Sequence, residues 1–339
     1  MSSASIGDLA VETLQYIFSY ACTDDGYTGY SLTLVSKAFR AIVHPIRFHR
    51  VALHNVAQVE SFAVFMDKQP VEAHVPRVQH LFISTWADGQ RVARIREVES
   101  SRGGSEEHLA FTEWASLAQT LHTRLSFVLP RVLQTVSPAL RTFTIIHALE
   151  MGDIPLNHSL PHLEELTSFG WVPYGSRNDE ISPLFPALRR LHIGFPVLTL
   201  RRWIRHTPCL THLRLSEVSP SASTLPDELS TLLDDARPSC PDLRIIRLQQ
   251  RRIAIRDFPS TAMLLHNLFA LKLKLLETSP CKDRLELLKH RRYRHDYWNE
   301  RLKQDWLERI VDDPGCWSAG EQKEEGGEEK DERVFATSI

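Results

Sequence analysis

Two short stretches of the sequence bring together side chains able to do chemistry. His206-Thr-Pro-Cys209-Leu-Thr-His212 sets two imidazoles and a thiol at spacings of three, a separation at which one helix face can aim ligands at a metal ion. Pro208 interrupts any such helix and a closed zinc site needs four ligands, so neither a metal nor another cofactor is expected. Lys289-His-Arg-Arg-Tyr-Arg-His295, with Tyr297 and Trp298 beyond it, has the basic and aromatic make-up of a nucleic-acid patch or an import signal. Asp283, Glu286, Asp296, Glu300, Asp305 and Glu308 share that stretch, which favours a solvated, salt-bridged face over nucleic acid as a partner. The sequence holds no G-x-S-x-G elbow, Walker loop, G-x-G-x-x-G fingerprint after a strand or H-E-x-x-H helix. No catalytic residue is assigned, and an enzyme is not expected.

A third set of residues emerges when the chain is aligned on itself. Val78-Gln-His-Leu81-Phe-Ile83, Leu140-Arg-Thr-Phe143-Thr-Ile145, Leu163-Glu-Glu-Leu166, Leu188-Arg-Arg-Leu191-His-Ile193, Leu210-Thr-His-Leu213-Arg-Leu215, Leu243-Arg-Ile-Ile246-Arg-Leu248 and Leu268-Phe-Ala-Leu271-Lys-Leu273 share the pattern L-x-x-L-x-L. All but the last have a proline two residues earlier: Pro76, Pro138, Pro161, Pro186, Pro208 and Pro241. Proline fixes φ and lacks an N–H, so each unit reads as a turn feeding a short strand. From Leu140 onward most starts recur at roughly 22 to 25 residues, within the period of leucine-rich repeats, with one longer interval before Leu243.

Along a strand the fourth and sixth positions share one face and the third and fifth the other. The outward pairs are then His80 and Phe82, Thr142 and Thr144, Glu165 and Thr167, Arg190 and His192, His212 and Arg214, Ile245 and Arg247, and Ala270 and Lys272. The second half of this column is basic. Arg190, His192, His212, Arg214, Arg247 and Lys272 are the candidate partner-binding residues, suited to an acidic or phosphorylated segment because guanidinium makes paired hydrogen bonds to carboxylate or phosphate. The same charges also suit a face that is merely solvated.

Other elements must carry these strands. Leu200-Arg-Arg-Trp203-Ile204 and Pro226-Asp-Glu-Leu229-Ser-Thr-Leu232-Leu233 have helical spacing, and residues 109–133 place Phe111, Trp114, Leu117, Leu121, Leu125 and Val128 on one face of a long helix after a charged excursion at 91–108. Near the N-terminus Leu14, Ile17, Phe18 and Ala21 form one stripe and Leu32, Val35, Phe39 and Ile42 a second, predicting two helices. Residues 284–311 read as a long amphipathic helix that caps the last strand, and the acidic stretch 321–332 reads as disordered. Scattered cysteines, five in number and never in a C-x-x-C pair, point to a reducing compartment. With no signal peptide and no membrane-length apolar run in the sequence, the expectation is a cytoplasmic or nuclear chain without a membrane partner. The net charge of −2 offers no global attraction to nucleic acid.

Leu9-Ala-Val-Glu12-Thr-Leu14-Gln-Tyr-Ile17-Phe18, followed by Leu32-Thr-Leu34-Val35-Ser36-Lys37-Ala-Phe39-Arg40-Ala-Ile42, resembles an F-box, with Ala10 where that family has proline. With the leucine-rich pattern and the terminal Asp312-Asp-Pro-Gly-Cys-Trp317, the chain is similar to the F-box proteins with irregular leucine-rich repeats expanded in mushroom-forming fungi. The resemblance implies a substrate-recognition subunit of a cullin-RING ubiquitin ligase. Its F-box would dock a Skp-type adaptor, bound in turn to the cullin, with Leu9, Leu14, Ile17, Phe18, Leu34 and Val35 supplying the contact or its support, while the repeats' concave face holds an unknown protein substrate, an acidic or phosphorylated one being a candidate. A repeat scaffold without a ligase role and a nucleic-acid-binding protein using the basic C-terminal helix remain as alternatives. The expected architecture is α/β: an F-box-like helical domain at 1–53, an irregular leucine-rich repeat solenoid at 54–280 with an insertion near 86–136, a capping helix at 281–318 and an acidic tail at 319–339.

Overall fold

A computed structural model describes residues 6, 9–22, 26–68, 77–90, 107–147, 154–174, 182–195, 200–219, 224–233, 240–250, 269–274, 282–288, 297–311 and 313–317. The excursion at 91–106, the basic cluster at 289–296 and the acidic tail lie outside them.

The chain is mixed α/β, and its described residues are built on one parallel sheet of eight strands that follow chain order. The sheet strands are β1 (Arg50–Leu53), β2 (His80–Ser84), β3 (Thr142–Ile146), β5 (Glu165–Phe169), β7 (Arg190–Gly194), β8 (His212–Val218), β9 (Ile245–Gln250) and β10 (Leu285–Leu288); β4 (Ile154–Pro155) and β6 (Pro173–Tyr174) pair separately. The pattern L-x-x-L-x-L explains the register. Val51, Leu81, Phe143, Leu166, Leu191, Leu213, Ile246 and Leu285 occupy matched positions on consecutive strands, so the fourth residue of every unit stacks on its neighbour and is buried. The sixth position makes a second ladder, broken at Ser168, whose hydroxyl donates to the Trp171 carbonyl. Burying a leucine or isoleucine contributes about 1.5 to 3 kcal/mol against about 1 to 2 kcal/mol of backbone ordering per residue, so no strand is stable without a neighbour to bury it.

The prolines act in the turns. Leu163, Leu188, Leu210 and Leu243 each donate their N–H to the carbonyl three residues back, at 3.2–3.3 Å, closing a turn whose second residue is Pro161, Pro186, Pro208 or Pro241. Proline's fixed φ suits that position and its missing N–H leaves nothing unpaired.

Helices cover the inner face. α4 (Val56–Asp67) and α5 (Glu107–Val136) pack together, with Arg131 paired to Asp67 at 2.9 Å and Arg124 forked onto Glu60; α6 (Leu200–Arg205) and α7 (Leu225–Leu233) follow along the sheet. The N-terminal unit comprises α1 (Val11–Ala21), α2 (Tyr27–Val35) and α3 (Lys37–Val43). The expected second helix is therefore two. Ser36 takes an extended backbone (φ −159°, ψ 165°) and its hydroxyl caps α3 by accepting from the Phe39 N–H at 3.1 Å, a competition serine often wins against helix continuation.

Three further expectations are corrected. Residues 269–274 form a helix rather than the seventh strand: without a preceding proline, Phe269 and Leu273 satisfy the i, i+4 spacing and are buried while Leu271 is exposed. Lys272 thus leaves the strand column and pairs with Asp227 of α7 at 2.8 Å. Among the described residues the last strand is instead β10, within the stretch expected to open the C-terminal helix, and the helix described there, α8, is Tyr297–Ile310. The sheet also begins at Arg50, inside the span assigned to the helical domain.

Candidate partner-binding sites

Two surfaces carry the candidate residues. In the N-terminal unit Leu14 and Phe18 are buried with Ile42, Val43 and Ile46, and the Phe18 ring meets Phe39 edge-on at 5.0 Å. They form the unit's core, and direct adaptor contact by these two is not available. The other four candidates lie outside: Leu9 is 41% exposed, Ile17 40%, Leu34 62% and Val35 64%. Val11 and Tyr30 are exposed as well. Ala10, where the F-box pattern has proline, adopts φ −59° and ψ 147°, a φ that proline also takes. Ala10→Pro is expected to raise stability by about 0.5–1 kcal/mol by restricting the unfolded chain, measured by urea unfolding; a loss would show that Leu9 cannot adopt the pre-proline conformation.

The second surface is the outward face of the sheet, and α8 lies across it instead of capping its end. Trp298, Leu302, Trp306 and Ile310 recur every four residues, one narrow apolar stripe on a polar helix. That stripe packs on Phe82, Ile146 and Phe169 in a cluster separate from the main core. Trp306 sits 5.6 Å from the Phe82 ring and Trp298 4.9 Å from the Phe169 ring. Gly194 is required here: a Cβ would lie 2.2 Å from the Phe169 ring, so any side chain would push the ring out of its seat beneath Trp298.

Polar contacts fix the helix ends. The Ser84 hydroxyl donates to Asn299 Oδ1 at 2.8 Å near the start of α8. Near its end, the carboxylate of Glu165 accepts from Arg309 Nε and from the indole N–H of Trp317, both at 2.9 Å. Arg214 donates to the carbonyl of Cys316, and Arg50 links the end of α1 to the end of α8, donating to the Cys22 carbonyl at 3.2 Å and the Ile310 carbonyl at 3.5 Å. Gly315 turns the chain with φ +52° so that residues 315–317 fold back onto β7 and β8, where Trp317 meets His192 and His212 edge-on.

The expected basic column is thereby altered. His192, Arg214 and Arg247 are buried, and only Arg190 and His212 are partly accessible. Arg247 is paired with Glu286 at 2.7 Å. Burial, helped by Arg214 and Arg301, holds the His192 imidazole well below its ordinary range. Burial also depresses His80, to about 3, with Arg50, His49, Arg141 and Arg309 adding to the effect. His212 is lowered by burial and then by Arg190, Arg247 and Arg244. All three imidazoles are neutral at pH 7, so less of the face is cationic than the residue types suggest.

Sequence reasoning missed Glu165, Arg309, Trp317 and Arg50 as an interacting group. The signal lay one residue past the repeat pattern. Ile146 and Phe169, at the seventh position, join Phe82 as large apolar residues pointing outward, which a solvated face would not carry in such proximity. Among the described residues no group of three or more His, Cys, Asp or Glu could hold a metal ion, and no helix is long and apolar enough to cross a membrane.

In comparisons with known proteins, no family model, no curated protein and no solved structure matches the chain.

Proposed function

We propose that the chain is the substrate-recognition subunit of a cullin-RING ubiquitin ligase: its N-terminal three-helix unit is an F-box that docks a Skp-type adaptor, and its ordered strands are an irregular leucine-rich repeat solenoid that holds the target protein. The observation that carries the reading is the division of labour in the N-terminal unit. Leu14 and Phe18 supply an internal core while Leu9, Ile17, Leu34 and Val35 stay outside it. A unit this small gains nothing for its own stability from four exposed large apolar side chains, whereas a docking module needs them. The parallel strands, recurring at leucine-rich spacing, support the solenoid part of the reading. The contribution to ubiquitin transfer is proximity, with bond chemistry left to the ligase's other subunits.

A pull-down tests this. The tagged full-length chain is expected to capture adaptor and cullin, and Ile17→Asp with Leu34→Asp to reduce that capture at least tenfold while leaving the thermal melt unchanged, since both sites are already exposed. No adaptor with either protein would favour a scaffold without a ligase role.

A further inference from the structure

The two faces of the sheet differ in chemistry. Inward positions are almost entirely apolar, whereas the face under α8 mixes aromatic seats with Ser84, Thr142, Thr144, Glu165 and Thr167. Each buried polar group needs its own partner, and α8 with the residues after it supplies partners to Ser84 and Glu165. This face holds its occupant in ways a peptide-binding site does. Phe82 and Phe169 receive two tryptophans eight residues apart, and Glu165 receives an arginine. Arg50 and Arg214 bind main-chain carbonyls at and beyond the helix C-terminus, contacts that depend on helix direction rather than on side-chain identity.

We propose that the outward face of β1, β2, β3 and β5 is a docking site for an amphipathic helix of a partner protein, bearing large aromatic residues at i and i+8 and an arginine three residues after the second, and that α8 fills this site in cis as a competing ligand. The proposal deepens the solenoid reading by naming the chemistry of the target and rests on it only for calling that partner a ligase substrate. The occupant is helical and carries a cation for Glu165, not the acidic segment that the residue types in the strand column suggest. Release of α8 exposes the Phe82, Ile146 and Phe169 seats without opening the main core, because the two clusters are separate.

The probe is a fluorescent peptide of residues 297–317, titrated by anisotropy into the full chain without adaptor, so that failure here leaves the adaptor reading untouched. Trp298→Ala with Trp306→Ala weakens the cis helix, and this full-length variant is expected to bind the peptide at least tenfold more tightly than the unaltered chain does. The peptide carrying Arg309→Glu is expected to bind at least tenfold more weakly. In the unaltered chain, α8 amides are expected to exchange with solvent at least a hundredfold faster than those of β5 and β7. Protection of α8 equal to that of the strands, or loss of the cooperative melt in the double variant, would make α8 part of the fold and overturn the proposal. So would equal peptide affinity for the two proteins. A dimer exchanging α8 between copies, seen by sedimentation, would assign the face to a second copy and overturn the partner reading.

Discussion

Truncating Leu191 to alanine is expected to destabilise the chain by about 3 kcal/mol, within the range for removing a fully buried leucine side chain from a packed interior. Leu191 is fully buried, and on its strand it lies between Leu166 and Leu213 in the fourth-position ladder. The cavity would open where both neighbouring strands contribute side chains, so partial collapse cannot close it cheaply. Arg190, one residue earlier, points the other way and is partly accessible at 3.5 Å from Glu165; Arg190→Ala is expected to change stability by less than about 1 kcal/mol. Urea unfolding of the two variants measures the contrast. Similar losses for both would show that the strand does not separate an inner from an outer face.

Acidification should weaken the fold through the imidazoles under α8. His80 is held at about 3 by burial and by the positive charge around it, against 6.5 for the free side chain, and its Nδ1 lies 2.9 Å from the Thr142 hydroxyl. Below pH 6.5 the unfolded chain takes up a proton at this residue that the folded chain refuses. The stability present above pH 6.5 is therefore lost as pH falls toward 3, by about 2 kcal/mol at pH 5. His192, also depressed, contributes with the same sign. Unfolding free energies at pH 7 and pH 5 should show the loss, and His80→Gln should remove most of the share due to His80. A pH dependence identical in the variant would place the cause elsewhere.

The strands that prolines announce were legible from the sequence. Pro161, Pro186, Pro208 and Pro241 sit inside turns, and the leucines behind them carry both the turn hydrogen bond and the first buried position, so local chemistry and tertiary packing agree. Where the proline is missing, at 268–273, the same apolar residues fit two periods, and the helix prevails. β1 was hidden for the opposite reason: Arg50-Val-Ala-Leu53 has the alternation but is too short to stand out without its neighbour β2. The adaptor candidates came from the resemblance to an F-box, and neither that resemblance nor helical spacing could divide them into buried and exposed residues. Leu14 and Phe18 are separated from Ile17 only by which side of α1 the other two helices pack against. The seat of α8 was least legible, because it joins residues as far apart as Arg50 and Ile310, a relation that no periodicity encodes.

That last relation bears on the order in which the chain assembles. Neighbouring strands join residues such as His192 and Ser216, 24 positions apart, whereas the Arg50 to Ile310 contact spans 260. Closing the longer loop costs about 2 kcal/mol more in chain entropy, and the contact forms only when β1 already stands in the sheet. The sheet can therefore grow outward from any adjacent pair of strands, while α8 has no seat until β2, β3 and β5 are side by side. During synthesis that seat exists before the helix emerges, leaving a window in which another chain's helix could reach it first.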